Sequence, residues 1–309
     1  MYERTFVMKK AIPLIFDTDI GSDIDDTWAL AMALKSPEID LKMVSVNGFG
    51  TDYQARLSAK ILSVAGREDV IVAKGRSTDM DPRYQEEWIG DYSIEDYPNY
   101  KDNAAQAIVD YVMTSDEEVT ILVAGASTNI ADAYKIDPRI ANKCKIVAIG
   151  GVIYNGHCGG WYPPLGSDWN VKCDVESWNE GLVKSDIPVE LLPLDVTGNL
   201  YLDEGYYSRI KACAEKDPVI KALCENFEVW AKNIEWGGQG GTSALFDTVG
   251  VYACFTKENL EYQVLPIYAN DAAQTLIDPE RGKEMNVALR WGDKEKFRKF
   301  LTARLCGEI

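Results

Sequence analysis

Ala11-Ile12-Pro13-Leu14-Ile15-Phe16-Asp17-Thr18-Asp19-Ile20-Gly21-Ser22-Asp23-Ile24-Asp25-Asp26 joins a short apolar run to five aspartates. Residues 11–16 read as a buried strand ending at Asp17, and residues 25–34 as the helix that follows. The same alternation continues outward. Strands are expected at 41–46, 70–73, 119–124, 146–149 and 189–194, and helices at 53–64, 103–113, 129–134 and 175–183. After residue 200 the pattern turns helical, at 204–214, 219–233 and 247–254, with strands at 264–268 and 286–290 and a last helix at 294–305. Strands alternating with helices predict an α/β fold. Its central sheet is mostly parallel, with helices on both faces and added helices in the C-terminal third. No linker or repeat interrupts the pattern, so residues 1–309 are expected to form one domain. Two long segments break the rhythm: 76–102, with Trp88 and four tyrosines, and 152–170, glycine-rich and carrying Trp161 and Trp169. Loops of that length in compact domains are commonly functional, and their aromatics favour packing over disorder.

The 309 residues include 49 acidic and 32 basic side chains, for a net charge of −17. Such a surface repels phosphate backbones and anionic membranes, so neither nucleic acid nor membrane is an expected partner. No apolar run is long enough to span a bilayer, and the first ten residues lack a signal-peptide core. The seven cysteines form no CxxC pair. Reduced thiols in a cytoplasmic protein are the expectation.

Polar residues cluster just after expected strands, which is where parallel sheets collect ligands. Five neighbouring carboxylates repel one another, and a hard divalent cation bound through oxygen relieves that repulsion. Calcium suits so many oxygen ligands; magnesium takes fewer from protein. The aspartates also have ordinary readings as turn residues, with Asp25 as a helix cap. No EF-hand spacing is present.

Asp17-x-Asp19-x-Gly21 followed by Asp25-Asp26 resembles the N-terminal signature of the inosine-uridine preferring nucleoside hydrolase family, with two additional residues before the aspartate pair. An alternative alignment uses Asp23 in place of Asp25. The resemblance continues through Asn47-Gly48, Ala124–Ala131, Ile149-Gly150-Gly151, Asp168-Trp169-Asn170 with Asp174, Pro193-Leu194-Asp195-Val196-Thr197 and Phe246-Asp247. It implies calcium held by Asp19, Asp26, Asp247 and the main-chain carbonyl of Thr128, with Asp19 as general base. It implies ribose hydroxyls held by Asp25, Asn47, Asp168, Asn170 and Asp247. The reaction implied is hydrolysis of an N-glycosidic bond in a ribonucleoside or related riboside, by a homodimer or homotetramer. Asp174, Asp195, Thr128, Asn47 and Asp247 also have structural readings, as caps, turn residues or internal hydrogen-bonding groups.

One departure concerns the leaving base. Phe246 stands where many members of the family carry a histidine that protonates it. The single histidine, His157, lies in the glycine-rich loop. Aromatic stacking by Trp161, Tyr162, Trp169 and Phe246, with Trp88 and Trp236 in other loops, is the other expected route. A calcium-dependent riboside-binding protein without catalysis is the alternative. A haloacid-dehalogenase-type phosphatase also opens on a strand followed by Asp-x-Asp. It expects Thr or Val where Gly21 stands, and no later lysine and acidic pair can be placed. Gly48-Phe49-Gly50 lacks the third glycine of a dinucleotide site.

Overall fold

A computed structural model describes residues 10–78, 82–154, 167–236, 238 and 240–309. Strand β1 (Ile12–Thr18) leads to helix α1 (Asp25–Leu34), β2 (Ile39–Phe49), α2 (Thr51–Val64), β3 (Ile71–Thr78), α3 (Glu86–Ile89) and β4 (Tyr100–Lys101). The chain continues through α4 (Ala104–Thr114), β5 (Val119–Val123), α5 (Thr128–Ile136), β6 (Cys144–Ile149), α6 (Trp169–Cys173), α7 (Val175–Trp178), β7 (Val189–Leu192) and α8 (Leu194–Thr197). It closes with α9 (Glu204–Cys213), α10 (Pro218–Asn233), α11 (Phe246–Phe255), β8 (Leu260–Ala269), β9 (Thr275–Ile277), β10 (Lys283–Trp291) and α12 (Lys294–Leu305).

The strands form one sheet in the order β4-β3-β2-β1-β5-β6-β7-β10-β8-β9. Neighbours from β4 to β10 pair in parallel; β8 runs antiparallel to both β10 and β9. The mostly parallel sheet expected from the sequence is therefore present. β1 explains why: its residues after Ile12 are buried on both faces. Leu14 and Phe16 pack into one core with Trp28 of α1 and side chains of α2 and α9–α12. Ile15, between them, packs into the other core with α4, α5 and Trp178. Period-two alternation thus feeds two apolar layers rather than one apolar and one wet face.

Strand order places the site. From β1 the chain winds outward through β2, β3 and β4, then returns to the opposite side of β1 as β5. Connections diverge between β1 and β5, and a crevice opens beyond their carboxyl ends at such a switch point.

Several boundaries differ from the sequence reading. β1 runs two residues past Phe16, so Asp17 lies within the strand. Asn47 likewise lies inside β2. β3 extends to Thr78 despite its polar second half, because its ladder with β2 continues through Gly48↔Ser77 and Phe49↔Thr78. β7 stops at Leu192, since Pro193 has no N–H to donate and Leu194 opens α8. The helix expected at 175–183 is α7 followed by a π-helical turn at Asn179–Val183. The long segment 76–102 contains α3 and β4. Among the described residues no helix is long and apolar enough to cross a membrane.

Candidate active site

The last residues of β1 point alternately to the two sides of the sheet. Asp17 is fully buried and accepts hydrogen bonds from Ser45 Oγ at 2.6 Å, Asn129 Nδ2 at 2.7 Å and Asn47 Nδ2 at 2.9 Å. Burial pushes its carboxyl up to about 7, against the opposing pull of those three donors. Thr18 faces the other way and donates its hydroxyl to Asp26 Oδ1. The strand then ends, and Asp19, buried, lines the crevice beyond it.

Gly21 turns the chain at φ +108°, where a Cβ would sit 2.5 Å from Cε1 of Tyr53. The Tyr53 hydroxyl donates to the Gly21 carbonyl at 3.0 Å and fixes the turn. Asp23 accepts from the Ile24 N–H at 2.7 Å. Asp25 and Asp26 occupy the first turn of α1, where the helix N-terminus favours negative charge. Ile24 holds the N-cap position, so Asp25 is not the cap.

Asp247 arrives from the first turn of α11. Carboxylate oxygens of Asp25, Asp26 and Asp247 lie within 4.8 Å of one another, and all three residues are buried. Burial first, and repulsion from Asp26, Asp23 and Asp168 after it, push Asp19 well above the usual carboxylate range. Burial and neighbouring carboxylates do the same to Asp25 and Asp247, while Asp26 is pushed up to about 7. The charges that act on these groups are other carboxylates. Protonation relieves the repulsion one carboxylate at a time, and a hard dication offsets two of the negative charges while leaving the groups ionised. Oxygens bound to one calcium at about 2.4 Å can stand no more than about 4.8 Å apart, so the spacing of the three fits such an ion.

The cavity above these carboxylates has a volume of about 900 Å³. Asp19, Asp23, Asp25, Asp26 and Asp247 form its acidic floor. Asp168 and Asn170 form a second wall. Asp168 caps α6 by accepting the Val171 N–H at 3.1 Å, and burial raises its carboxyl against the pull of the Gly151, Val171, Asn170 and Trp169 N–H groups. Asn170 Nδ2 donates to the carbonyls of Ala124 at 2.9 Å and Ile149 at 3.1 Å, tying α6 to the ends of β5 and β6. Trp169 is 47% exposed and meets Phe49 edge-on at 6.2 Å between ring centroids. Phe246, Trp230, Ile234, Pro82 and Tyr84 add apolar surface to the lining.

Two expected site residues do not line the cavity. Asn47 is fully buried behind Asp19, with its amide committed to Asp17 and its Oδ1 without a partner. Gly125 makes that layering fit: a Cβ there would lie 2.6 Å from Asn47 Oδ1 and 2.9 Å from the Asp19 backbone nitrogen. Thr128 is buried at the start of α5, behind the Ser127 N-cap, and its hydroxyl has no partner. Asp174 caps α7, and Asp195 accepts the Ile153 and Tyr154 N–H groups, so both serve local structure. Trp88 donates to Glu225 away from the cavity, and Trp236 packs behind Trp230 at 5.8 Å. His157, Trp161 and Tyr162 lie outside the described residues.

Sequence reasoning missed Phe49, Tyr84, Lys172, Trp230 and Ile234 as cavity residues. Trp230 reads as core because α10 is amphipathic and the residue is 3% exposed, yet its Nε1 donates to the Ser22 carbonyl at 3.1 Å. Tyr84 and Lys172 carry no sequence signal that separates them from ordinary loop and helix residues.

A family model for inosine-uridine preferring nucleoside hydrolase matches residues 14–299. The chain is 28% identical over 244 residues to the pyrimidine-specific ribonucleoside hydrolase RihA of Citrobacter koseri, covering 74% of this chain and 75% of that protein. It is 29% identical over 246 residues to the same enzyme of an Enterobacter species, with coverage of 74% and 75%. The solved inosine-uridine preferring nucleoside hydrolase of Bacillus anthracis superposes with a TM-score of 0.76 at 18% identity, over 96% of this chain and 100% of that one. The purine-preferring ribonucleoside hydrolase of Gardnerella vaginalis superposes equally well, at 0.76 and 23% identity, over 96% and 98%. At those identities the two structures establish a shared fold.

Proposed function

Because this chain belongs to the inosine-uridine preferring nucleoside hydrolase family, we propose that it is a calcium-dependent N-glycosyl hydrolase of a ribonucleoside or related riboside. The observation that carries the reading is the convergence of Asp25 and Asp26 with Asp247, more than 200 residues away in the chain, on the floor of one cavity that Asp19 also lines.

Asp19, Asp26, Asp247 and the Thr128 carbonyl would hold the calcium, and the spacing of Asp25 adds a further carboxylate beside them. When bound, the ion supplies positive charge that eases deprotonation of a water and helps orient the ribose hydroxyls. Asp19 takes the proton of the attacking water. Asp25, Asp168, Asn170 and Asp247 hold the ribose hydroxyls, while Asn47, which does not line the cavity, supports Asp17 beneath the site. Positive charge develops on the sugar as the C1′–N bond stretches, and the surrounding carboxylates favour that oxocarbenium-like state. Trp169 and Phe246 meet the face of the base, and stacking against them helps the base accept electron density in a site where Phe246 cannot donate a proton. In this reading one domain of residues 1–309 carries the whole site, and the active particle is a homodimer or homotetramer, which sedimentation velocity measures directly.

Incubating the protein with a panel of purine and pyrimidine ribonucleosides, and assaying free ribose with calcium or with a chelator, tests the function. Ribose release that stops on chelation and resumes on calcium addition supports it. The absence of a proton donor at Phe246 favours a second reading, a calcium-dependent riboside binder. That protein would retain nucleosides on equilibrium dialysis and release no ribose from any of them.

A further inference from the structure

Among the described residues, the roles assigned so far leave one proton transfer of the hydrolysis unassigned. The electron pair of the C1′–N bond moves onto the departing base, which must be protonated to leave easily. Phe246 has no acidic hydrogen, and the carboxylates of the floor serve cation, water and sugar. Among the described residues that line the cavity, two groups other than carboxylates can give up a proton and regain it in turnover. These are the Tyr84 phenol and the Lys172 ammonium.

Tyr84 lines the cavity along with the apolar side chains of Pro82, Trp230 and Ile234, which suit a base rather than a sugar. Lys172 is on α6, two residues beyond Asn170. Tyr84 is 38% exposed, and no described residue hydrogen-bonds its hydroxyl. Its backbone, by contrast, is tightly held. The Tyr84 carbonyl accepts from Asn233 Nδ2 at 2.8 Å. The next N–H, of Gln85, donates to the Tyr53 hydroxyl at 2.9 Å, and that hydroxyl donates to the Gly21 carbonyl at 3.0 Å. Gln85 Oε1 also accepts from Thr27 Oγ1 of α1 at 2.9 Å. Tyr84 is thereby anchored to the turn that carries Asp19 and to the helix that begins with Asp25 and Asp26. A hydroxyl free for a ligand, on a backbone fixed relative to the carboxylates, is the arrangement a proton donor requires.

We propose that Tyr84 is the catalytic acid that protonates the departing base. The role rests on the hydrolase reading and deepens it. In the step, the C1′–N bond breaks and its electron pair stays with the base, which takes the proton from Tyr84 Oη. The water oxygen bonds to C1′ and its proton passes to Asp19. Tyr84 then regains a proton from solvent and Asp19 releases one, so the net change is riboside plus water to ribose plus base.

The test compares wild type and Tyr84→Phe on inosine and uridine and on p-nitrophenyl riboside, whose leaving group departs as a phenolate without protonation. On the nucleosides kcat should fall by about 100-fold or more, the usual worth of a general acid. On the aryl riboside it should fall by less than about 3-fold, which also reports that the variant is folded. Equal losses on both substrates, or no loss on nucleosides, would overturn the proposal. So would a leaving-group-dependent loss that appears in Lys172→Met instead. A wild-type protein inert on the aryl riboside as well as on nucleosides would overturn the hydrolase reading and, with it, the role of Tyr84.

Discussion

Asn129, at the start of α5, donates its side-chain amide to Oδ1 of Asp17 in β1 at 2.7 Å, across 112 residues of chain. Ser45 and Asn47 donate to the same carboxylate from β2. Asp17 therefore ties β1, β2 and α5 together directly beneath the segment that carries Thr18 and Asp19. It lines no part of the cavity, yet it fixes the strand from which the floor emerges.

Replacing Asp17 by Ala leaves the buried Ser45 and Asn47 donors without an acceptor, while Asn129 keeps only the Val46 carbonyl at 3.2 Å. Leaving a buried neutral donor unsatisfied costs about 1–3 kcal/mol. Urea unfolding of Asp17→Ala should show a loss of that order, whereas a loss below about 1 kcal/mol would remove Asp17 from its role as the anchor.

Gly125 cannot accept a side chain without moving the Asp19 backbone, since its Cβ would lie 2.9 Å from that nitrogen. Gly125→Ala should lose about 1–3 kcal/mol of stability, typical of overpacking, and bind calcium more weakly. Calorimetric calcium titration and urea unfolding measure both. Wild-type affinity would show that Asp19 tolerates the displacement.

Asp19→Asn keeps the shape of the side chain but cannot take the proton of water. Ribose release should fall by about 100-fold or more, with riboside affinity retained within roughly tenfold in a calorimetric titration. Turnover at the wild-type rate would assign the base elsewhere.

Acidity should stabilise the protein when calcium is removed. Burial raises Asp17 and Asp26 to about 7 and lifts Asp19, Asp25 and Asp247 well above their usual range. An unfolded aspartate titrates near about 3.9. Between those values the folded chain holds protons that the unfolded chain has released, so stability falls as pH rises from about 4 through 7. Chelated protein should melt at a lower temperature at pH 8 than at pH 5.5, and calcium should raise Tm more at pH 8. Thermal melts at both pH values check this; a chelated protein more stable at pH 8 would contradict it.

The order of elements and the acidic loop were legible in the chain because they depend on local pattern. Residues 11–16 are apolar throughout, as a strand buried on both faces must be, and the α1 expected at 25–34 has those same bounds in the structure. The C-terminal helices were legible for the same reason, within a residue or two at each end. The sequence reading ends β3 at residue 73 because the residues after it are polar or glycine, whereas its ladder with β2 resumes at Gly48↔Ser77 and carries the strand to Thr78.

Sequence alone determined that a two-faced parallel sheet forms and that carboxylates gather where β1 ends, since burial pattern and charge are properties of neighbouring residues. Tertiary structure decided that Asp247 joins Asp25 and Asp26, that Asn47 and Thr128 lie behind the cavity wall, and that Tyr84, Trp230 and Phe49 complete it. Those relationships arise where β5 returns beside β1 and α10 and α11 fold across them. Contact between segments so far apart depends on packing, which no short window of sequence encodes.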